Sequence, residues 1–167
     1  GLSDPNDILK MTHYHDITAE SYDESRVIEK FYEFVRRYDN PVLVAHNAQF
    51  DINFITTRGA PSESMLPDVE VLDTLKISQY FFVPTVETLQ STDEATVILN
   101  TLRRENATTT HISSRLGDLA VAFGINADNW HSAYADVEMM YEVLRRMIEY
   151  LGQNRTTNII VNQKKAI

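Results

Sequence analysis

The residue types best suited to chemistry lie in two short segments, HNAQFD at 46–51 and HSAYAD at 131–136. Each combines a histidine with an aspartate, and imidazoles and carboxylates are the groups that transfer protons and bind cations. In the first segment, a buried strand over 41–45 delivers His46 and Asn47 to its C-terminal end, where open α/β sheets place their ligands. Asp51 follows Asn47 by one helical turn, so both side chains can face the same crevice.

Both segments also have a purely structural interpretation. Asn47 would cap the following helix, and Asp51 would favour the positive N-terminal end of that helix. His131, taken alone, is more typical of a residue that begins a helix than of a catalyst. Asp136, in contrast, lies beside the apolar stripe of the last helix rather than opposite it, which is unusual for an acid that only meets solvent.

The hydrophobic pattern around these segments predicts alternating helices and strands, and therefore an α/β domain. Strands are predicted at 41–45 and 69–73, which are too few for a stable sheet. Helices are predicted at 22–38, from Phe50 through Phe54 to about Gly59, and at 74–82. Another helix is predicted to follow the capping box at 91–94 and to carry Ile98, Leu99 and Leu102. The last two are predicted at 116–123, where Gly124 ends the helix, and at 132–151, where Gly152 ends it. A polar loop is predicted at 108–111. The apolar face of the last helix is predicted to comprise Val137, Met140, Tyr141, Leu144, Met147, Ile148 and Leu151.

Composition limits the classes of protein to which the chain can belong. Its 167 residues, 43% of them hydrophobic, fit one globular domain. The net charge of −9 argues against a broad basic surface, so a bound polyanion would need a local positive source such as a divalent metal. The absence of cysteine excludes disulfides and thiolate catalysis and agrees with a cytoplasmic protein. The apolar runs are too short to span a membrane.

Taken together, the segments resemble motifs of the DEDDh family of 3′–5′ exonucleases, which includes the proofreading subunit of bacterial replicases. HNxxFD at 46–51 resembles the second exonuclease motif of the family, and HxAxxD at 131–136 resembles the third. HDITxE at 15–20 and the helix before the third motif match in the same order. The resemblance covers residues 5 to 151. It implies a ribonuclease H-like mixed sheet flanked by helices for residues 1–151. Residues 152–167 are predicted from their composition to form a polar tail.

One departure concerns the first motif of the family, an Asp-x-Glu on the first strand. The triplets of this type, at 68–70 and 136–138, fall after the second motif and inside the third. Residues 1–15 contain no hydrophobic strand, and the chain starts with Gly1. We therefore expect a chain that lacks the first motif and the N-terminal strands of the sheet. Asp16 also stands where the family usually has glycine.

The resemblance implies a role for each candidate residue. Asp51 and Asp136 would each bind a divalent ion, Mg²⁺ or Mn²⁺, and the complete site would hold two ions. His131 would take the proton from the attacking water, while His15, Asn47 and Phe50 would bind the terminal nucleotide. The expected reaction is two-metal hydrolysis of phosphodiester bonds at the 3′ ends of single-stranded DNA. Replication or repair proteins are the expected protein partners.

Other functions stay open. RNA 3′ ends are the alternative substrate, because DEDDh enzymes act on both nucleic acids. The chain would otherwise be a non-catalytic member that uses the same fold to bind nucleic acid. A transition-metal pair formed by His13 and His15 is disfavoured, because no nearby cluster of carboxylates or thiolates completes a ligand shell.

Overall fold

A computed structural model describes residues 24–58, 69–105, 110–126 and 133–155. The chain divides into two compact units, Gly1–Asp73 and Thr74–Ile167. The described elements are mostly helical, with a pair of parallel strands in the first unit and a pair of antiparallel strands in the second. The prediction of an α/β protein is therefore confirmed, whereas the ribonuclease H-like mixed sheet stays a prediction.

In the first unit, two short parallel strands are connected by a helix. The elements in chain order are α1 (Glu24–Val35), β1 (Val42–Ala45), α2 (Ala48–Arg58) and β2 (Glu70–Asp73). The strands pair in register from Val42 opposite Glu70 to Ala45 opposite Asp73. Helix α2 contacts α1 and both strands. This order agrees with the predicted one, and the parallel register places the C-terminal ends of β1 and β2 side by side.

Burial in the first unit is less complete than the apolar pattern predicts. In α1, the buried residues are Ile28, Tyr32 and Val35, whereas Val27 and Phe34 are exposed. The helix predicted over 22–38 is confirmed for Glu24–Val35. Strand β1 is not the buried strand that its continuous apolar run predicts, since none of its residues is fully buried and Val42 is 50% exposed.

The second unit begins with a continuous helical segment whose pitch changes in the middle. It comprises α3 (Thr74–Ile77), a π-helical turn (Ser78–Phe82) and α4 (Val83–Thr88). The Val83 amide donates to the carbonyl of Ser78, five residues back, and Pro84 follows at once. In a regular helix, a proline ring clashes with the carbonyl four residues earlier. The wider turn therefore accommodates Pro84 without ending the helix. The helix predicted over 74–82 is confirmed and continues to Thr88.

Helix α5 (Asp93–Leu102) begins one residue later than the capping box at 91–94 predicts. Its N-cap is Thr92, whose hydroxyl accepts a hydrogen bond from the Ala95 amide at 3.3 Å. A threonine hydroxyl satisfies a free amide at a helix start as a serine hydroxyl does, so the helix is capped by the neighbouring residue. The predicted helix carrying Ile98, Leu99 and Leu102 is confirmed, and these three side chains are buried.

An antiparallel hairpin follows α5 and was not expected from the sequence pattern. Strand β3 (Arg103–Glu105) pairs with β4 (Thr110–Ile112), with Arg104 opposite His111. The predicted polar loop is therefore wrong for Thr110 and His111. The hydrophobic pattern failed here because these short strands are polar and are defined by their backbone pairing rather than by a buried face.

The last two helices end differently from each other. Helix α6 (Leu116–Ala122) ends at Gly124, which has a φ of 66° and is followed by a hydrogen bond from the Ile125 amide to the Ala120 carbonyl at 2.9 Å. This is a Schellman motif, and it confirms Gly124 as the terminator. Helix α7 (Ala133–Gln153) instead continues through Gly152, so the prediction that Gly152 ends it is wrong.

Helix α7 buries a face that differs in part from the predicted one. Its buried residues are Met139, Val143, Leu144, Met147 and Tyr150. Val137, Tyr141 and Ile148 are exposed, so their assignment to the buried face is wrong. The core of the second unit also includes Phe82, whose ring centre lies 5.2 Å from that of Phe123 and 5.4 Å from that of Tyr150. Across the described residues, no helix combines the length and the apolar character needed to cross a membrane.

Candidate active site

The C-terminal ends of β1 and β2 form the candidate site of the first unit. Asp73 ends β2 opposite Ala45, and the chain that leaves β1 there turns directly into α2. The Asn47 amide donates to Oδ1 of Asp73 at 3.1 Å, and the Ala48 amide donates to Oδ2 at 3.2 Å. Asp73 therefore caps α2 from the neighbouring strand, using amides that have no partner within the helix.

Asn47 has a backbone conformation that explains why asparagine occupies this position. Its φ is 72°, and it is the one non-glycine residue with a positive φ in the described ranges. Asparagine adopts this left-handed region more readily than most other residues. The interpretation in which the Asn47 side chain caps α2 is therefore wrong, because the Asp73 carboxylate supplies the cap. The exposed Asn47 side chain lies at the same edge of the strand pair as Asp73.

Asp51 lies in the first turn of α2 and is electrostatically coupled to Asp73. Partial desolvation raises the pKa of Asp51, and the negative charge of Asp73 raises it further. A hydrogen bond with its own backbone opposes these effects without cancelling them. Two carboxylates thus concentrate negative charge at one strand edge, and such a concentration favours a bound cation.

Phe50 precedes Asp51 and is 68% exposed. Its amide donates to the Asn47 carbonyl at 2.9 Å, which fixes it in the first turn of α2. An exposed aromatic ring next to a charged edge has a free face on which a base or sugar can stack. The nucleotide-binding roles of Phe50 and Asn47 stay predictions.

Asp136 lies in the first turn of α7, in the second unit, and is partly buried. Its Oδ1 atom is buried and accepts no hydrogen bond from the part of the chain that the structure describes. A buried acceptor without a partner costs about 1–3 kcal/mol, and more when it is charged. A cation bound to this oxygen would remove that cost, so the surroundings of Asp136 fit a metal ligand.

The oxygen donors of Asp51 and Asp136 are of the type that Mg²⁺ and Mn²⁺ prefer. Within residues 24–58, 69–105, 110–126 and 133–155, no three histidine or acidic side chains are grouped so that they could hold a metal ion by themselves. His15 and His131 lie outside the described residues. Joint metal binding by Asp51 and Asp136 and the catalytic role of His131 therefore stay predictions.

Asp73 is the candidate site residue that the sequence analysis missed. The pattern of residues 69–73 marks it only as the end of a strand. The sequence did contain a signal: Asp73 is a carboxylate at the C-terminal end of a predicted strand, and that strand follows a predicted strand and helix. Consecutive strands joined in this way usually pair in parallel, and their C-terminal ends then share one edge.

The chain is 29% identical over 126 residues, or 75% of its length, to a protein of Mycobacterium tuberculosis (strain CDC 1551 / Oshkosh) that is named as a bifunctional exonuclease/endonuclease. The matched region spans only 15% of that protein. No model of a known protein family matches the chain, and no solved structure matches it significantly. The chain is thus similar to one segment of a protein that is named as a nuclease.

Proposed function

We propose that this chain belongs to a metal-dependent 3′–5′ exonuclease of the DEDDh type that acts on single-stranded DNA. The observation that carries the proposal is the pair of carboxylates at the C-terminal edge of β1 and β2. Asp51 has a raised pKa there because of desolvation and the charge of Asp73. A folded protein that concentrates negative charge in this way gains from a bound cation. The similarity to a protein named as an exonuclease/endonuclease supports the same reaction class.

Each aspartate has a distinct part in this proposal. Asp51 and Asp136 would hold Mg²⁺ or Mn²⁺, which would supply positive charge for the reacting phosphate and for the leaving oxygen. The Oδ1 atom of Asp136 is buried and has no hydrogen-bond partner among the described residues, which supports its assignment as a ligand. Asp73 is a positioning residue, because its two hydrogen bonds hold the start of α2 and with it the turn that carries Asp51.

The remaining candidate residues act on water and on the nucleotide. His131 accepts the proton of the attacking water, a role suited to an imidazole that titrates near neutral pH. Phe50 stacks on the terminal base or sugar with its exposed ring, and Asn47 and His15 bind the same nucleotide. Replication or repair proteins are the proposed protein partners.

The proposal is tested with the full-length protein and with single-stranded DNA and RNA oligonucleotides labelled at either end. With Mg²⁺, DNA labelled at its 5′ end should shorten through a ladder of products, while DNA labelled at its 3′ end should lose its label in the first step. EDTA should stop both reactions. Asp51→Asn should abolish cleavage. Glu70→Gln, which removes a carboxylate from the other end of β2, is the matched control and should cleave at the wild-type rate.

The other outcomes are equally informative. Loss of the 5′ label in the first step, or internal cleavage, would overturn the 3′–5′ direction. Cleavage of RNA with DNA left intact would identify RNA 3′ ends as the substrate. Binding of either nucleic acid without cleavage at any metal concentration would identify a non-catalytic nucleic-acid-binding protein and would overturn the proposed enzyme.

A further inference from the structure

Three arginines and one histidine lie on and beside the β3–β4 hairpin of the second unit. They are Arg103, Arg104, His111 and Arg115, here called the hairpin patch, and all four are exposed. The whole chain has 15 Lys and Arg against 24 Asp and Glu. The hairpin patch therefore concentrates three arginines in a short stretch of a chain that is acidic as a whole.

The strand register places two members of the hairpin patch on one face. Arg104 lies directly opposite His111 in the antiparallel pair, and directly opposite residues project from the same side of a sheet. Arg103 projects from the other side of β3, because successive side chains alternate. The positive charge therefore continues around the strand rather than being confined to one face.

One carboxylate, that of Asp118, pairs directly with the hairpin patch. Asp118, in the first turn of α6, forms an ion pair with Arg104. Burial alone would raise the pKa of Asp118, but the hydrogen bonds from Arg104 and Ser113 and the charges of Arg104 and Arg115 bring it below its usual value. Residues 103–118 contain these three arginines and two acidic residues, Glu105 and Asp118, so the segment has one positive charge in excess whereas the whole chain has a net charge of −9.

The backbone that carries the hairpin patch is held in place by hydrogen bonds. The Ser113 side chain donates a hydrogen bond to Asp118, and the Ser113 amide donates to the Leu102 carbonyl at 2.8 Å. The Arg115 amide donates to the Ser113 hydroxyl at 3.3 Å, and Ser113 itself is only 3% exposed. This network joins the hairpin to the start of α6. The arginines therefore extend into solvent from a backbone that is already ordered, which lowers the entropy lost when they bind.

We propose that the hairpin patch binds the phosphodiester backbone of single-stranded nucleic acid. Guanidinium groups match phosphate oxygens in charge and in hydrogen-bond geometry. A row of such contacts binds nucleic acid without reading its sequence, as an enzyme acting on many different ends requires. This inference rests on the proposed function, since it supplies the affinity for the strand that the candidate active site would cleave.

The test measures the binding of a fluorescent single-stranded DNA oligonucleotide to the full-length protein by anisotropy, in EDTA so that no cleavage occurs. The variants are Arg103→Gln, Arg115→Gln and the double variant, because Arg104 is engaged with Asp118. The matched control is the double variant Arg145→Gln/Arg146→Gln on α7, which removes the same charge from two arginines paired with Glu142. Thermal melting checks that every variant is folded.

Each arginine that contacts a phosphate should add about 0.7 to the slope of log affinity against log salt on a single strand. The Arg103/Arg115 double variant should therefore reduce that slope by about 1.4 and lower the affinity at least tenfold in low salt, while the Arg145/Arg146 control stays within twofold of the wild type. Equal slopes and affinities in the wild type and the hairpin double variant would overturn the proposal, as would an absence of binding by the wild type.

Cleavage is measured in a separate experiment with Mg²⁺, so failure of the hairpin-patch proposal can be distinguished from failure of the exonuclease proposal. If the hairpin variants lose binding but the wild type never cleaves, the hairpin patch stands and the exonuclease does not. If the wild type cleaves and the hairpin variants keep their KM, the exonuclease stands and the hairpin patch does not. With both proposals correct, the hairpin variants should raise KM and leave kcat unchanged.

Discussion

Asp73 accepts a hydrogen bond from the backbone amide of Asn47 at 3.1 Å, although the two residues are 26 positions apart in the chain. The contact joins the last residue of β2 to the turn that follows β1. The left-handed φ of Asn47 and the start of α2 are therefore held by a neighbouring strand rather than by the local sequence. The position of Asp51, one turn into α2, depends on this same contact.

Replacing Asp73 with alanine should lower the free energy of unfolding by about 1–2 kcal/mol, because the first amides of α2 lose their cap. Urea denaturation followed by circular dichroism measures the change. Glu70→Gln, at the other end of β2, is the control and should change stability little. A stability of Asp73→Ala equal to that of the wild type would show that the capping contact is energetically unimportant.

Asp51→Asn should abolish cleavage and leave the protein as stable as the wild type or more stable at neutral pH. The raised pKa of Asp51 means that its ionised form is disfavoured in the folded protein, which is a penalty at any pH above that pKa. The penalty disappears as the pH falls through the raised pKa, so wild type and variant should converge below the ordinary aspartate pKa of 3.8. Unfolding curves at neutral and acidic pH measure the difference, and a variant that is less stable at neutral pH would contradict the coupling.

Asp136→Asn should abolish cleavage and reduce the rise in melting temperature that Mn²⁺ produces in the wild type. A ligand that binds only the folded state raises stability by an amount that grows with the logarithm of its affinity, so loss of a metal ligand weakens this effect. Glu138→Gln, which removes a carboxylate from the same part of α7, should retain the full Mn²⁺ response. An unchanged response in Asp136→Asn would remove Asp136 from the metal site.

His131→Ala should reduce the turnover rate by about 10²–10⁴-fold and change substrate affinity much less, because the imidazole acts on water. Wild-type activity should fall as the pH drops below the histidine pKa, since the protonated ring cannot accept a proton. The measurement is the turnover rate against pH for both proteins. If the two profiles coincide in height and shape, His131 only begins the last helix and has no catalytic role.

Asp118→Asn should lower the free energy of unfolding at neutral pH by about 1–2 kcal/mol, because the hydrogen bonds from Arg104 and Ser113 lose their negatively charged acceptor. The pKa of Asp118 is lowered in the folded protein, so its contribution is present above the ordinary pKa of 3.8 and is lost as the pH falls through the lowered value. Wild type and variant should therefore converge in acid. Glu142→Gln, which breaks exposed ion pairs on α7, is the control and should change stability less at neutral pH.

Local sequence patterns predicted the helices and strands around the candidate site better than they predicted the contacts and burial of those elements. The strand–turn–helix path through Asn47 and Asp51 was predictable, because an apolar run followed by polar residues and a helical repeat has a local signature. The capping by Asp73 was not, since it depends on strand pairing between distant segments. The exposed faces at Phe34 and Tyr141 were missed for a related reason: helical periodicity shows which residues share a face, but not how much of that face is covered.

The capping of α2 by Asp73 also has a consequence for the order of folding. The N-terminal amides of α2 acquire their acceptor only after β2 has paired with β1, and that pairing requires the whole intervening crossover to close. Parallel strands form late for the same reason, because the entropy of closing the connection is lost before any contact is gained. The helix start that carries Asp51 is therefore completed in the same step as the strand pair. A nascent chain that has not yet reached Asp73 contains the HNAQFD segment before the amides of Asn47 and Ala48 have their acceptor.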